Sequence, residues 1–255
     1  MRSADRRDAI AEHISQVGYA RLDEIAERFA ISRMTVHRHV EALAKQGMVR
    51  KLHGAVTVQP SALYESAFRF RASVAVEEKR ALANAALAYV EAGQAIMLDD
   101  STTATMLADR LVEVAPLTVV TNSVAAAQTL QAVEEIDLIS LGGSYNRIYH
   151  AYVGLVCEQA ISRLCVHTLF LSASAAQGAQ AYIQDQQIVR IKQAMMAVAQ
   201  RRILMLDHHK FERVALHALG ELSAFDIVLT TSELGPARVD ALRKAGVAIE
   251  VVKLG

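Results

Sequence analysis

Six short polar stretches in this 255-residue chain carry the side chains best suited to hold a ligand. They are Asp99-Asp100-Ser101-Thr102-Thr103, Thr121-Asn122-Ser123, Gly142-Gly143-Ser144, Ser172-Ala173-Ser174, Asp207-His208-His209-Lys210 and Thr230-Thr231-Ser232. Ser and Thr hydroxyls, with the free amides of a helix N-terminus, suit phosphate oxygens, while Asp and Asn suit sugar hydroxyls. Lys192 and Lys210 would add positive charge against a phosphate or carboxylate, although a solvated helix position explains Lys192 equally well. The chemistry fits a phosphorylated sugar. The same groups also suit proton transfer, with Asp99 or Asp100 as the base and Lys192 or Lys210 steadying an enediolate.

A second group of residues points to a different partner. Ser32, Arg33, Thr35, His37, Arg38 and Lys45 fall within one short segment, as donors for phosphate oxygens and for guanine edges in a major groove. Val36, Val40 and Leu43 recur at i, i+4 and i+7, so the segment reads as a helix from Ser32 to Gln46, capped by Ser32 and ended by Gly47. Leu22, Ile25, Ala26 and Phe29 form a shorter amphipathic helix just upstream, at helix-turn-helix spacing. Downstream, Met48 to Leu52 and Ala55 to Val58 flank a His53-Gly54 turn. Such a wing would bring Arg50, Lys51 and His53 beside the groove.

The elements that must position both groups divide the chain. Ser3 to Val17 reads as the first helix, with Ile10, Ile14 and Val17 inward, and completes a small module over residues 1–58. Pro60 and Ser61 break the pattern, and residues 59–74 read as a linker. From residue 75 to 255, helical stretches at Val76 to Glu91, Thr103 to Val112, Val124 to Leu130, Gln186 to Ala199 and Pro236 to Ala245 alternate with apolar strands. The strands lie near Ala95 to Leu98, Leu117 to Val120, Ile136 to Leu141, Thr168 to Leu171, Ile203 to Leu206 and Ile227 to Leu229. This alternation predicts an α/β domain with a mainly parallel, buried sheet. The polar stretches follow the strands, so in a parallel sheet they converge on one crevice.

Composition narrows the class. Lys plus Arg equals Asp plus Glu at 27 each, with a slight basic excess confined to the first 57 residues. The charged N-terminus does not read as a signal peptide, and the uncharged span Leu164 to Gln184 is too polar for a membrane helix. A cytoplasmic protein with no membrane partner is expected. Cys157 and Cys165 read as reduced packing residues. His208 and His209 would point to opposite sides of an extended segment, so no metal and no cofactor is expected.

The stretch TVHRHVEALAKQGMVRKLHGA, from Thr35 to Ala55, resembles the winged helix-turn-helix signature of the DeoR family of bacterial transcription regulators. It departs in having His37 and His39 in the Thr-Ile-Arg-Arg-Asp-Leu core and a single Gly54 in the wing. LDDSTT, VVTNS, LGG, the Lys192 helix and the Asp207, Lys210 and Phe211 pattern resemble the effector-sensing domain of the same family. That resemblance implies a fold like ribose-5-phosphate isomerase. It also implies an effector site of Asp99, Asp100, Ser101, Thr102, Thr103, Thr121, Asn122, Ser123, Gly142, Gly143, Lys192, Asp207 and Lys210. Here Ser101 replaces a Gly of the pattern, Thr231 replaces an Asp, and the His208-His209 pair is unusual.

The expectation is a DNA-binding repressor of a carbohydrate-metabolism operon, controlled by a phosphorylated sugar. Its partners would be a double-stranded operator and, because two half-sites are needed, further copies of itself in a dimer or tetramer. A sugar-phosphate isomerase with an appended DNA-binding module is the alternative. The winged module has no part in catalysis and favours regulation.

Overall fold

In the computed structural model residues 3–45, 49–58 and 67–254 are described, and the chain divides into two compact units, Met1–Val74 and Ala75–Gly255. Gly47 and Met48, Pro60 and Ser61 lie outside the described residues.

The first unit runs α1 (Ser3–Val17), β1 (Tyr19–Arg21), α2 (Leu22–Arg28), α3 (Arg33–Lys45), β2 (Val49–Leu52), β3 (Ala55–Val58) and α4 (Phe68–Ser73). Its core gathers Ile10 and Ile14 of α1, Leu22 and Ile25 of α2, and Val36, Val40 and Leu43 of α3 with Val49 and Val56 of the hairpin. Val17 is not part of it: it stands 50% exposed, because α1 ends there and Ala20 of β1 takes the inward place. β1 was not legible as a strand, yet it pairs antiparallel with β3 to make a three-stranded sheet in the order β1-β3-β2. Gly54 turns the β2–β3 hairpin at φ +70°, a conformation that costs glycine little, and its carbonyl accepts from Leu22 N at 3.1 Å. The short helix α4 lies in the span that read as linker.

The second unit begins with α5 (Val76–Leu87), β4 (Ala95–Leu98), α6 (Thr102–Ala108), β5 (Leu117–Thr121), α7 (Val124–Leu130) and β6 (Ile136–Ser140). A hairpin of β7 (Ser144–Asn146) and β8 (Ala151–Val153), then α8 (Leu155–Ile161), leads to β9 (Val166–Leu171), β10 (Ala175–Gln177), β11 (Gln180–Ile183) and α9 (Gln186–Val198). β12 (Ala199–Leu206), β13 (His217–Glu221), β14 (Ile227–Thr231), α10 (Pro236–Lys244) and β15 (Ile249–Val252) complete it. Seven strands form one sheet in the order β15-β14-β12-β9-β4-β5-β6, and every pair in it is parallel. A separate antiparallel sheet, β10-β11-β13, was not anticipated.

Strand periodicity explains the two cores. Successive residues point to opposite faces, so Met97, Val120, Leu169, Leu171, Leu204, Leu206 and Val228 pack on one side, with Ile188, Ile191 and Met195 of α9. Ile96, Leu98, Val119, Phe170, Ile203, Met205 and Leu229 pack on the other, with Leu82 of α5, Leu107 of α6 and Leu130 of α7. Both faces are covered, which is why these strands read as continuous apolar runs.

The order of strands fixes where a ligand would sit. β4 and β9 are neighbours, but the chain runs outward from β4 through β5 to β6 and outward from β9 through β12 to β15. Connections diverge at that pair, and open α/β sheets hold ligands outside the carboxyl ends of strands at such a switch point. Among the described residues, no helix is long and apolar enough to cross a membrane.

Candidate functional site

In the first unit, α3 buries Val36, Val40 and Leu43 and leaves Arg33, Met34, His37, Arg38 and Lys45 exposed. Ser32 starts it by accepting from Thr35 N at 3.3 Å, and the Ser32 and Thr35 hydroxyls lie 2.9 Å apart, so these two polar groups serve the helix start. Arg33 reaches back to Asp23 of α2 at 3.2 Å across a solvent-exposed gap. His37 and Arg38 carry the exposed donors of the next turn, and Arg50, Lys51 and His53 stand exposed on the wing. His39 is 3% exposed, and burial first, then Arg38, Arg7 and Arg6, pushes its imidazole toward the neutral form. Reading by residue type missed Met34, which is 82% exposed because it lies off the Val36-Val40-Leu43 stripe. An apolar side chain there suits a thymine methyl group.

In the second unit a floor of buried polar groups lies at the carboxyl ends of β4 and β9. Asp99 follows β4, and its carboxylate joins the diverging strands: Oδ1 accepts from Ser101 N and Oδ2 from Ser172 N, both at 2.9 Å. Lys192 completes the floor. Its ammonium donates to Asp99 and to the Ser172 carbonyl at 3.1 Å, and lies 3.1 Å from Asp100 Oδ1. Burial would lower the Lys192 pKa, but Asp100 and Asp99 outweigh it, so the group is held above the usual lysine value and stays charged.

Lys192 is thus not a solvated helix residue: it is 3% exposed, on the same stripe as Ile188, Ile191 and Met195. Asp185 fixes that helix by accepting from Gln187 N at 2.8 Å and Ile188 N at 3.2 Å. The signal was in the spacing. With Ile188, Ile191 and Met195 inward, the residue at 192 shares their face.

Two loops repeat one device beside that floor. Ser101 caps α6 by accepting from Ala104 N at 3.1 Å, and Ser123 caps α7 by accepting from Ala126 N at 3.3 Å. Ser101 therefore holds a helix end. Thr121 donates to the Leu98 carbonyl at 2.8 Å and accepts from Ser123 N at 3.0 Å, so its hydroxyl is already used. Asn122 Nδ2 donates to the Tyr152 carbonyl at 2.9 Å, whereas its Oδ1 is buried with no hydrogen-bond partner among the described residues. Thr102 and Thr103 open α6, both buried.

Asp207 and Lys210 follow β12, on the other side of the divergence, and are buried. Gly142 and Gly143 follow the edge strand β6 and are exposed, one strand beyond Thr121–Ser123. The structure does not gather them into that floor. Gly143, at φ +146°, lets the chain pass the β7–β8 hairpin, since a Cβ there would meet the Val153 carbonyl at 2.6 Å. Thr230 and Thr231 belong to β14 rather than to a loop, and the Thr230 hydroxyl is buried without a partner.

Three further differences concern the cysteines and histidines. Cys157 is buried, and burial and then Glu158 raise its thiol to about 11, but Cys165 is exposed and is not a packing residue. His208 and His209 lie in a tight helical turn, His208–Phe211, not an extended segment, and their ring centroids are 3.8 Å apart. Glu78 of α5, absent from the sequence reading, lies beside both.

Comparison with known proteins follows the same division. A family model described as the DeoR C terminal sensor domain matches residues 74–232, and one described as the DeoR-like helix-turn-helix domain matches residues 6–62. The uncharacterized HTH-type transcriptional regulator YulB of Bacillus subtilis (strain 168) is 31% identical over 98% of this chain and 97% of its own. The glycerol-3-phosphate regulon repressor of Escherichia coli (strain K12) is 28% identical over 90% of this chain and 91% of its own. A structure of D-ribose-5-phosphate isomerase in complex with phospho-erythronic acid aligns at 15% identity and a TM-score of 0.39 over 52% of each chain. That is a distant likeness of fold.

Proposed function

The chain belongs to the DeoR family of transcriptional regulators, and on that premise we propose that it represses an operon for carbohydrate use and loses or alters its hold on the operator when a phosphorylated sugar binds. The observation that carries this reading is the polar floor at the β4–β9 divergence, where Asp99, Asp100 and Lys192 are buried together, with Asn122 buried at the end of the neighbouring strand β5. Asn122 Oδ1 is buried without a partner among the described residues, a desolvation cost that a donor on a bound ligand would offset. A relative named for a glycerol-3-phosphate regulon supports a phosphorylated polyol or sugar as the class. It is a regulator rather than an enzyme, as a DNA-reading module joined to a sensor domain implies. The cytoplasm, where the operator lies, is its proposed location.

In this reading Arg38, His37 and Met34 face base edges, while Arg50, Lys51 and His53 of the wing meet phosphates. Thr102, Thr103 and Lys210 would take the phosphate, and Asp100 and Asn122 the sugar hydroxyls. Binding is tested by thermal unfolding of the full chain with a panel of aldose and ketose phosphates. The cognate ligand at one hundred times its Kd should add about 2.7 kcal/mol to stability. Dephosphorylated sugars at equal concentration should leave the transition where it was. Equal shifts from both would contradict a phosphate seat.

A single winged module reads too few bases for a specific site, so the working form is proposed to be a dimer or tetramer held by the 75–255 unit. Light scattering at micromolar concentration should give a multiple of the 27.8 kDa chain mass. A monomer with and without operator DNA would refute this.

A further inference from the structure

We propose that Glu78, His208 and His209 form a binding site for a divalent transition metal of the zinc class. The site lies in the 75–255 unit, where the turn after β12 meets α5 and β14.

Three elements deliver the donors. Glu78 is the third residue of α5, His208 and His209 open the turn His208–Phe211, and Thr231 ends β14. One ligand atom from each of Glu78, His208 and His209 lies within 4.8 Å of the others. His208 Nδ1 is 2.8 Å from Glu78 Oε2, and His209 Nε2 is 3.8 Å from Glu78 Oε1. The second separation is too long for a hydrogen bond. It suits two ligands of a shared cation, since metal–ligand distances of about 2.0–2.2 Å in tetrahedral geometry set ligand atoms about 3.4 Å apart. Shifts of up to about 1.4 Å bring all three to that spacing.

The surroundings fit a metal better than a plain ion pair. Glu78 Oε2 already accepts from His208 N at 3.1 Å and from the Thr231 hydroxyl, so the carboxylate is oriented by groups that are not themselves ligands. Outer partners of this kind fix ligand geometry and tune affinity. Side-chain exposure rises from 8% at Glu78 to 23% at His208 and 43% at His209, so the site has a buried base and an open mouth. An ion can enter, and a water can take the fourth position.

Two imidazole nitrogens and one carboxylate oxygen select zinc, cobalt, nickel or copper over magnesium or calcium, which prefer oxygen alone. Both histidines must be neutral to bind, so occupancy falls as the solution is acidified. The metal would fasten the turn carrying Asp207 and Lys210 to α5, whose Glu78 is in turn held by Thr231 of β14.

The test is titration of the chelator-stripped full chain with Co²⁺, in a Cys165→Ser background so that the exposed thiol supplies no ligand. Visible d–d absorption should saturate at about one Co²⁺ per chain, be reversed by Zn²⁺, and shift the thermal transition upward. His209→Gln, at a half-exposed position, should keep the far-ultraviolet circular dichroism and weaken Co²⁺ about tenfold or more, and His208→Gln should do the same. No saturable binding below about 100 µM, or binding that survives both substitutions unchanged, would overturn the assignment.

Discussion

Replacing Lys192 by Met should lower the stability of the 75–255 unit by about 3 to 5 kcal/mol, because it leaves two carboxylates in a buried floor without their cation. Methionine keeps most of the stem, so packing with Ile188, Ile191 and Met195 survives and the loss is electrostatic. A domain is typically stable by only about 5–15 kcal/mol, so the effect is large. Its pH dependence has a definite sign. The Lys192 pKa is raised, so its stabilisation is present in full below the usual lysine value and is lost as the pH rises through the folded value in strong alkali. The advantage of the wild type should therefore stand undiminished at about pH 8. Urea unfolding followed by circular dichroism measures both. A variant within about 1 kcal/mol of wild type at pH 8 would show that Lys192 does not hold the floor.

Arg38→Ala should weaken specific operator binding by about 1 to 3 kcal/mol, roughly five- to more than a hundredfold, with the fold intact. The residue is exposed on α3, while Val36, Val40 and Leu43 anchor the opposite face. Lys51→Ala is the contrast. From the wing it would touch phosphate, so it should weaken all sequences alike and reduce the salt slope by about one. Fluorescence anisotropy at several salt concentrations, with operator and scrambled duplexes, separates the two. Unchanged operator affinity in folded Arg38→Ala would remove α3 from the groove.

What was legible in the sequence and what was not divide along a physical line. Strands buried on both faces announce themselves as apolar runs, and Ala95–Leu98 and the α7 helix Val124–Leu130 appear with the bounds their patterns gave. Short strands with few apolar residues, such as Tyr19–Arg21 and Gln180–Ile183, carry too little pattern to be seen, because tertiary pairing makes them. Among the ligand candidates, strand-end position was readable but the use of each group was not. Thr121, Ser101 and Ser123 spend their hydroxyls on the backbone, which no residue type discloses. Lys192 stood open between a ligand group and a solvated helix position, and the buried stripe that contains it rules out the second. The Glu78 cluster escaped because its partners are 130 residues apart and the histidine pair was taken as extended chain.

The central claim is that a phosphorylated sugar at the β4–β9 divergence controls DNA binding. A ligand shifts such an equilibrium only by its differential affinity for the competent and incompetent forms, so the coupling must depend on residues that touch it. The decisive measurement is a titration of preformed operator complexes with sugar phosphates, run side by side for wild type, Thr103→Val and Lys210→Ala. Wild type should release or tighten on DNA with one sugar phosphate, and both variants should bind operator as wild type does in its absence. Each variant should need at least about tenfold more ligand for the same response, the loss of a charge-assisted phosphate contact being worth about 1.5 kcal/mol or more. No response of wild type to any sugar phosphate, or an equal response from both variants, would contradict the claim.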